Sequence, residues 1–179
     1  IYERFYVESW IESSMKFFTN RCFRVVNTDG KVYGHGKSIW AMIDTETRQP
    51  CNLLDIKDGE LLQWELKDEP NPMGKMTRVM MSHEAEQIKS IETGYHDVDI
   101  NGHINSVKFI EHVMDLWETE WYCKHRLKRV DVAYVAEGHK GDKLELYREQ
   151  TGEMEFCVRV CRAGADGTEL CRMKLVFEN

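Results

Sequence analysis

The sequence predicts an α+β protein of two units in tandem, each an antiparallel sheet wrapped around a helix, with the first unit incomplete. Three observations carry this expectation. One amphipathic stripe of helical period follows a polar, glycine-containing turn in the second half of the chain. Most of the remainder reads as short β-type runs separated by turn residues. Finally, Cys22-Phe23-Arg24-Val25 ahead of Asp29-Gly30 is echoed by Cys157-Val158-Arg159-Val160 ahead of Asp166-Gly167. Recurrence of a strand–turn–strand unit is the mark of an internal repeat.

In chain order, Tyr2–Ile11 and Phe17–Val26 are rich in aromatic and β-branched residues and read as strands. Asn27-Thr28-Asp29-Gly30 is a hairpin turn, and Lys31–Ile43 returns from it. Leu53–Leu66 has room for a short helix or two. Lys67–Gly74, with two Pro and a Gly among charges, reads as a linker. Lys75–His83 and Ala85–Thr93 are each a strand or an extended connection. The boundaries that follow are a partial first unit over 1–66, a linker over 67–84 and a second unit over 85–179. The second copy of the repeat has its helix ahead of its strands. The chain before Tyr2 is too short for an equivalent, so a strand and helix of the first unit are expected to be absent.

The second half is better punctuated. Val107, Ile110, Val113, Met114 and Trp117 form the i, i+3, i+4, i+7 stripe of a buried helix face, expected to run to about Trp121. Asn105 or Ser106 can cap its first turn. Strands are expected near 129–137, 143–149, 153–162 and 169–177, as a meander with turns at Gly138, Gly141, Thr151-Gly152 and Ala165-Asp166-Gly167. Along the third of these, Met154, Phe156, Val158 and Val160 face one way and Glu155, Cys157, Arg159 and Cys161 the other.

Bulk properties narrow the function classes. The 179 residues carry a formal charge of −7, which argues against nonspecific nucleic-acid binding. No run of about 18 apolar residues exists to insert in a membrane, and no signal peptide is visible. The six Cys are scattered without a Cys-x-x-Cys and apart from the His, so neither a metal site nor a cofactor is expected. A reduced, cytoplasmic protein is the simplest reading.

Chemistry concentrates in Tyr95-His96-Asp97-Val98-Asp99-Ile100-Asn101-Gly102-His103-Ile104-Asn105-Ser106, where titratable groups feed the positive end of the helix. Unpaired N–H groups in such a place can hold an oxyanion. Asp99 is a candidate base or a residue orienting one. His103 can act as base, or hydrogen-bond a water or leaving thiol, and Asn101 can orient water or donate to a carbonyl oxygen. The N–H groups around Gly102–Ile104 are candidate oxyanion donors. His96, Asp97 and Asn105 read as structural.

The string Asp97-x-Asp99-x-x-Gly102-His103-x-Asn105 resembles the signature of hotdog-fold thioesterases. In the form Asp99-x-Asn101-x-His103-x-Asn105 it is most similar to the thioesterases that act on acyl groups carried by acyl carrier protein (ACP). Trp10, Trp40-Ala41-Met42 and Thr47-Arg48 match, in order, features of that family's first unit. Tyr134-Val135-Ala136-Glu137 matches its later active-site strand, with Gly138 where many members have Cys. The resemblance implies a double hotdog fold and a bacterial relative of the plant enzymes, releasing free fatty acid from acyl-ACP in fatty-acid biosynthesis. It implies Asp99, Asn101, His103 and Glu137 as catalytic residues. Because Gly138 carries no thiol, it further implies water activated by a carboxylate, with Glu137 as base.

In the family the first unit shapes the acyl pocket, which makes Trp10, Met15, Phe17 and Trp40 candidates for contact with the acyl chain. The run Lys124-His125-Arg126-Leu127-Lys128-Arg129 is the most basic in the chain, and Lys128 and Arg129 are candidates for docking the acidic carrier. Its alternative is a solvated charged loop. Two other functions stay open: an acyl-CoA thioesterase, and a non-catalytic acyl-binding module. Tandem units either satisfy each other's sheet edges or join as a homodimer.

Overall fold

Two antiparallel sheets organise the chain, and turn chemistry sets where each strand reverses. The computed structural model describes residues 2–76, 78–82, 84–164 and 167–179. Ile1, the His83 end of the 75–83 segment, its Thr77, and Ala165-Asp166 of the expected last turn lie outside the described residues. The chain divides into two compact units, Ile1–Thr77 and Arg78–Asn179.

The first unit is a three-stranded meander of β1 (Phe5–Ser14), β2 (Phe18–Asn27) and β3 (Val32–Ala41), in the order β1-β2-β3. Asn27 builds the second hairpin turn. Its Oδ1 accepts the N–H groups of Asp29 (3.0 Å) and Lys31 (2.8 Å), and Gly30 takes the left-handed φ of +83° that the reversal needs. Trp10 pairs with Cys22 and Ile11 with Arg21, so these pairs lie on opposite faces. On the Cys22 face, residues 69–74 run across the sheet: Arg24 donates to Glu69 (2.5 Å) and Lys37 to the Gly74 carbonyl (3.2 Å). On the Ile11 face lies Leu53–Trp64, the segment expected to be helical. It forms two short 3₁₀ turns separated by Ile56–Gly59, where Lys57, Asp58 and Gly59 turn left-handed.

The second unit has five strands in the order β4-β6-β7-β8-β5: β4 (Glu86–Glu92), β5 (Arg126–Tyr134), β6 (Lys143–Gly152), β7 (Glu155–Arg162) and β8 (Glu169–Glu178). It is therefore not a plain meander. β5 pairs with β8 at the far edge, and two strands, β7 and β8, separate it from β6, its successor in the chain. The basic run is not a loop but the end of a short helix and the start of this edge strand. The sequence echo maps onto the middle strand of each sheet, with Cys22 and Cys157 both buried. Arg24 lies over the Trp10 ring and Arg159 over the Tyr147 ring, each on the preceding strand.

Helix α1 (Ser106–Met114) packs against one face of this sheet. Its nine residues are fewer than the roughly 12–15 that an isolated helix needs, so packing holds it. The buried face differs by one residue from the expected stripe: Phe109 is 3% exposed while Val107 is 52% exposed. Phe109 and Val113 pack among Leu144, Leu146, Val158, Val160 and Met173, each burial worth about 1.5–3 kcal/mol. The helix also stops at Met114 rather than continuing to Trp121. There the Tyr122 hydroxyl donates to the Met114 carbonyl (2.7 Å) and takes the place of the next turn. A second helix, α2 (Thr119–Lys124), follows. The break swings Trp117 and Trp121 onto Phe156 and Phe177, with ring centroids 5.3–5.8 Å apart, closing the end of the core. The outward face of β7 is not solvated either: Cys157 and Cys161 are buried there.

Candidate active site

The motif folds as a tight loop that closes on itself before α1 begins. Val98 and Ile104 bridge its mouth, and the Asp99 N–H donates to the His103 carbonyl (2.9 Å). Asp99 Oδ1 accepts the Asn101 N–H (2.8 Å), and its carbonyl accepts the Gly102 N–H (3.1 Å). Gly102 sits at φ +79°, a conformation that costs other residues energy. Asn105 is the cap: its Oδ1 accepts the Val107 N–H (2.9 Å). The Asp99 carboxylate is thus engaged in shaping the loop, and Asn101 stands exposed at its tip.

Asp97 fastens this loop to the helix. Its carboxylate accepts the Gly94 N–H (2.7 Å) and contacts His112 Nε2 (2.8 Å), and its carbonyl accepts the Asn105 N–H (2.8 Å). Burial pushes the Asp97 carboxyl up, but the Gly94 N–H, the His112 bond and the charges of His112 and Lys108 outweigh it. The net shift is below the ordinary 3.8.

The second half of the site arrives from β5. That strand leaves the sheet after Tyr134, where the Val135 and Ala136 N–H groups both reach the Leu170 carbonyl (2.9 and 3.3 Å). The next residues cross to the motif. The Ile104 N–H donates to the Gly138 carbonyl (2.7 Å), and His103 and His139 form an antiparallel bridge. This places His103 Nε2 at 3.4 Å from Glu137 Oε2, with side chains 34% and 52% exposed, so solvent reaches the pair. The His139 ring stands edge-on to His103 at 5.2 Å between centroids.

Of the expected catalytic residues, then, the structure brings His103 and Glu137 into contact, with Asp99 and Asn101 on the same loop. The expected oxyanion donors are narrowed, because the Gly102 and Ile104 N–H groups are spent on Asp99 and Gly138. The N–H of His103 is the remaining one of the three. The sequence reading did not single out His139, which the structure places beside His103; its signal was its place two residues after Glu137.

Four of the six Cys, at 22, 157, 161 and 171, are buried. Cys171, on β8 opposite Tyr134, is fully buried, and burial pushes its thiol up to about 12. A side chain at Gly138 would require the Ile104 side chain to move. A Cβ built there would lie 2.6 Å from Ile104 Cδ1 and 3.1 Å from Leu170 Cδ1. Among the described residues no group of three or more His, Cys, Asp or Glu is placed to hold a metal ion, and no helix is long and apolar enough to cross a membrane.

The other candidates lie elsewhere. In the first unit a cavity of about 420 Å³ is lined by Ile11, Trp40, Met42, Leu53, Leu61 and Trp64. Trp10 is buried and lines a neighbouring cavity of about 440 Å³, whereas Met15 and Phe17 are exposed and line neither. Lys128 pairs with Glu178 (3.2 Å), which also binds Arg126, and Arg129 pairs with Asp131 (2.7 Å). Acidic partners thus offset much of the basic run.

Comparison with known proteins bears on all of this. A family model described as the acyl-ACP thioesterase C-terminal domain matches residues 80–179, and one described as the N-terminal domain matches residues 2–58. Palmitoyl-acyl carrier protein thioesterases of chloroplasts are similar at 23% identity in Gossypium hirsutum and 22% in Arabidopsis thaliana. These matches cover 73% and 82% of this chain but 33% and 36% of the relatives. The chain therefore spans about a third of the length of those relatives. Among solved structures, an acyl-ACP thioesterase from Bacteroides thetaiotaomicron superposes with a TM-score of 0.88 at 38% identity, covering 99% of this chain and 70% of that one. The 12:0-ACP thioesterase from Umbellularia californica shares the fold, with a TM-score of 0.78 at 20% identity over 97% of this chain and 67% of that one.

Two outcomes follow from the geometry. Asp97, with its folded pKa lowered, contributes stability that is present above 3.8 and lost as pH falls through the folded value. Asp97→Asn should lower Tm by several degrees at neutral pH, and the gap to the parent should close below about pH 4 in a thermal-melt series. Gly138→Ala should cost about 1–3 kcal/mol through crowding against Ile104. Adding Ile104→Val, which removes Cδ1, should restore part of that loss in denaturant titrations.

Proposed function

The chain belongs to the acyl-ACP thioesterase family, and from that premise we propose that it hydrolyses acyl-ACP thioesters to free fatty acid and carrier thiol. The observation that carries this reading is the approach of His103 to Glu137 across two segments of backbone, at a solvent-reached spot where the residue after Glu137 is Gly138. Glu137 takes a proton from a water. The water oxygen bonds to the thioester carbonyl carbon, and the resulting oxyanion is held by the His103 N–H and the Asn101 amide. The C–S bond then breaks and the thiolate leaves with a proton, so water is divided between acid and thiol. His103 holds Glu137 in place and carries that proton outward. Asp99 acts through the loop, fixing the backbone of Asn101 and His103.

Trp10 and Trp40 of the first unit are carried over from the family resemblance as contacts for an acyl chain. That unit's cavities of about 420 and 440 Å³ fall in the range of ligand pockets, roughly 300–1,000 Å³, and Trp40 and Trp10 line them. Carrier docking by Lys128 and Arg129 is a weaker part of the reading, because both already have carboxylate partners. A role in bacterial fatty-acid synthesis in the cytoplasm fits the likeness to the Bacteroides protein.

Free-thiol release from matched acyl-ACPs and acyl-CoAs tests this. We expect release from acyl-ACP, little from acyl-CoA, and a loss of about 10²–10⁴-fold in Glu137→Gln with its melting temperature kept. Faster release from acyl-CoA would move the substrate to the coenzyme thioester. Binding of either without release would make the protein an acyl-binding module. Parent-like turnover in Glu137→Gln would remove Glu137 as the base.

A further inference from the structure

Glu137 sits on a segment that has left its sheet, with a side chain more than half exposed. A catalytic carboxylate in that situation needs something to fix its backbone. The residues around it show what does so. Arg162, the last residue of β7, is itself held there: its N–H donates to the Thr168 carbonyl (2.8 Å), and the next N–H, of Ala163, to the Lys143 carbonyl (2.7 Å). Its guanidinium then reaches back across the loop. Nη2 donates to the Glu137 carbonyl (2.9 Å) and Nε to Asp142 Oδ2 (3.0 Å).

The same Asp142 oxygen accepts the His139 N–H (2.9 Å). Buried Thr93 sits below, its hydroxyl 3.0 Å from the His139 carbonyl and 2.9 Å from that of Asp142. Both ends of the 137–142 loop are therefore tied to one cation, and of these anchors Arg162 is the one that touches Glu137 itself.

We infer that Arg162 is a positioning residue for Glu137, holding the base against His103 by clamping the two ends of the loop that carries it. This rests on the proposed reaction. Arginine suits the task because its donors are fixed in one planar fork, whereas a lysine ammonium is a single point that cannot serve a carbonyl and a carboxylate in the same way.

The test compares the parent, Arg162→Ala, Arg162→Lys and Asp142→Asn in two readouts: acyl-ACP hydrolysis, and hydrogen exchange at the Ile104 and His139 amides. In Arg162→Ala we expect faster exchange at both amides, kcat down about 10- to 100-fold and KM within about twofold. Added guanidinium should restore part of kcat, and Arg162→Lys should not match the parent. In a Glu137→Gln background the same substitution should cost nothing further. Should Arg162→Ala not fold, Asp142→Asn, which weakens the far end of the clamp, is expected to show the same pattern in milder form. Unchanged exchange, or kcat within about twofold of the parent, or an equal loss in the Glu137→Gln background, would overturn the inference while leaving the reaction standing. A parent protein that releases no thiol would overturn the reaction, and with it any kinetic role for Arg162.

Discussion

The site depends on one backbone hydrogen bond, from the Ile104 N–H to the Gly138 carbonyl at 2.7 Å. It joins a loop that precedes a helix to a segment that has just left an edge strand. Neither piece has a sheet partner of its own at that point. The bond and the His103–His139 bridge beside it set the separation of His103 and Glu137. Gly138 makes the approach feasible, since a Cβ there would meet the Ile104 side chain whose N–H it receives. A larger residue at this position would therefore have to displace the ends of the Ile104 and Leu170 side chains.

Around that junction the motif divides its polar residues between two tasks, and burial separates them. Asp97 and His112 are 14% and 16% exposed and bind each other at 2.8 Å, so desolvation and direct contact make them a fastening between loop and helix. His103 and Glu137 are far more open and 3.4 Å apart, a spacing that water and substrate can reach. The two acid–histidine pairs therefore differ in burial and spacing rather than in the groups they contain.

Much of this was legible in the sequence. The alternation in 155–162, the Asn27–Gly30 turn and the motif each depend on neighbours in the chain, and local rules reach that far. What the sequence did not show depends on distance. The early end of α1 needs the Tyr122 hydroxyl, and the burial of Phe109 in place of Val107 needs the side chains of distant strands that pack against it. The edge placement of β5 needs β8, which lies some 45 residues further on. Around Glu137 the same holds: His139, Asp142 and Arg162 gain meaning only once Arg162 is brought across 25 residues to the Glu137 carbonyl. Lys128 and Arg129 looked like a free basic patch because Glu178 and Asp131 are placed beside them by strand pairing and by side-chain direction.

The most direct measurement is a double-mutant cycle of His103→Ala and Glu137→Gln in acyl-ACP hydrolysis, read as kcat/KM with the fold of each variant checked by melting. If the junction makes the two residues one unit, either single change should cost nearly as much as both together. Losses that multiply independently would mean that the two residues do not act on the same reacting atoms, and the assignment of the site would be wrong.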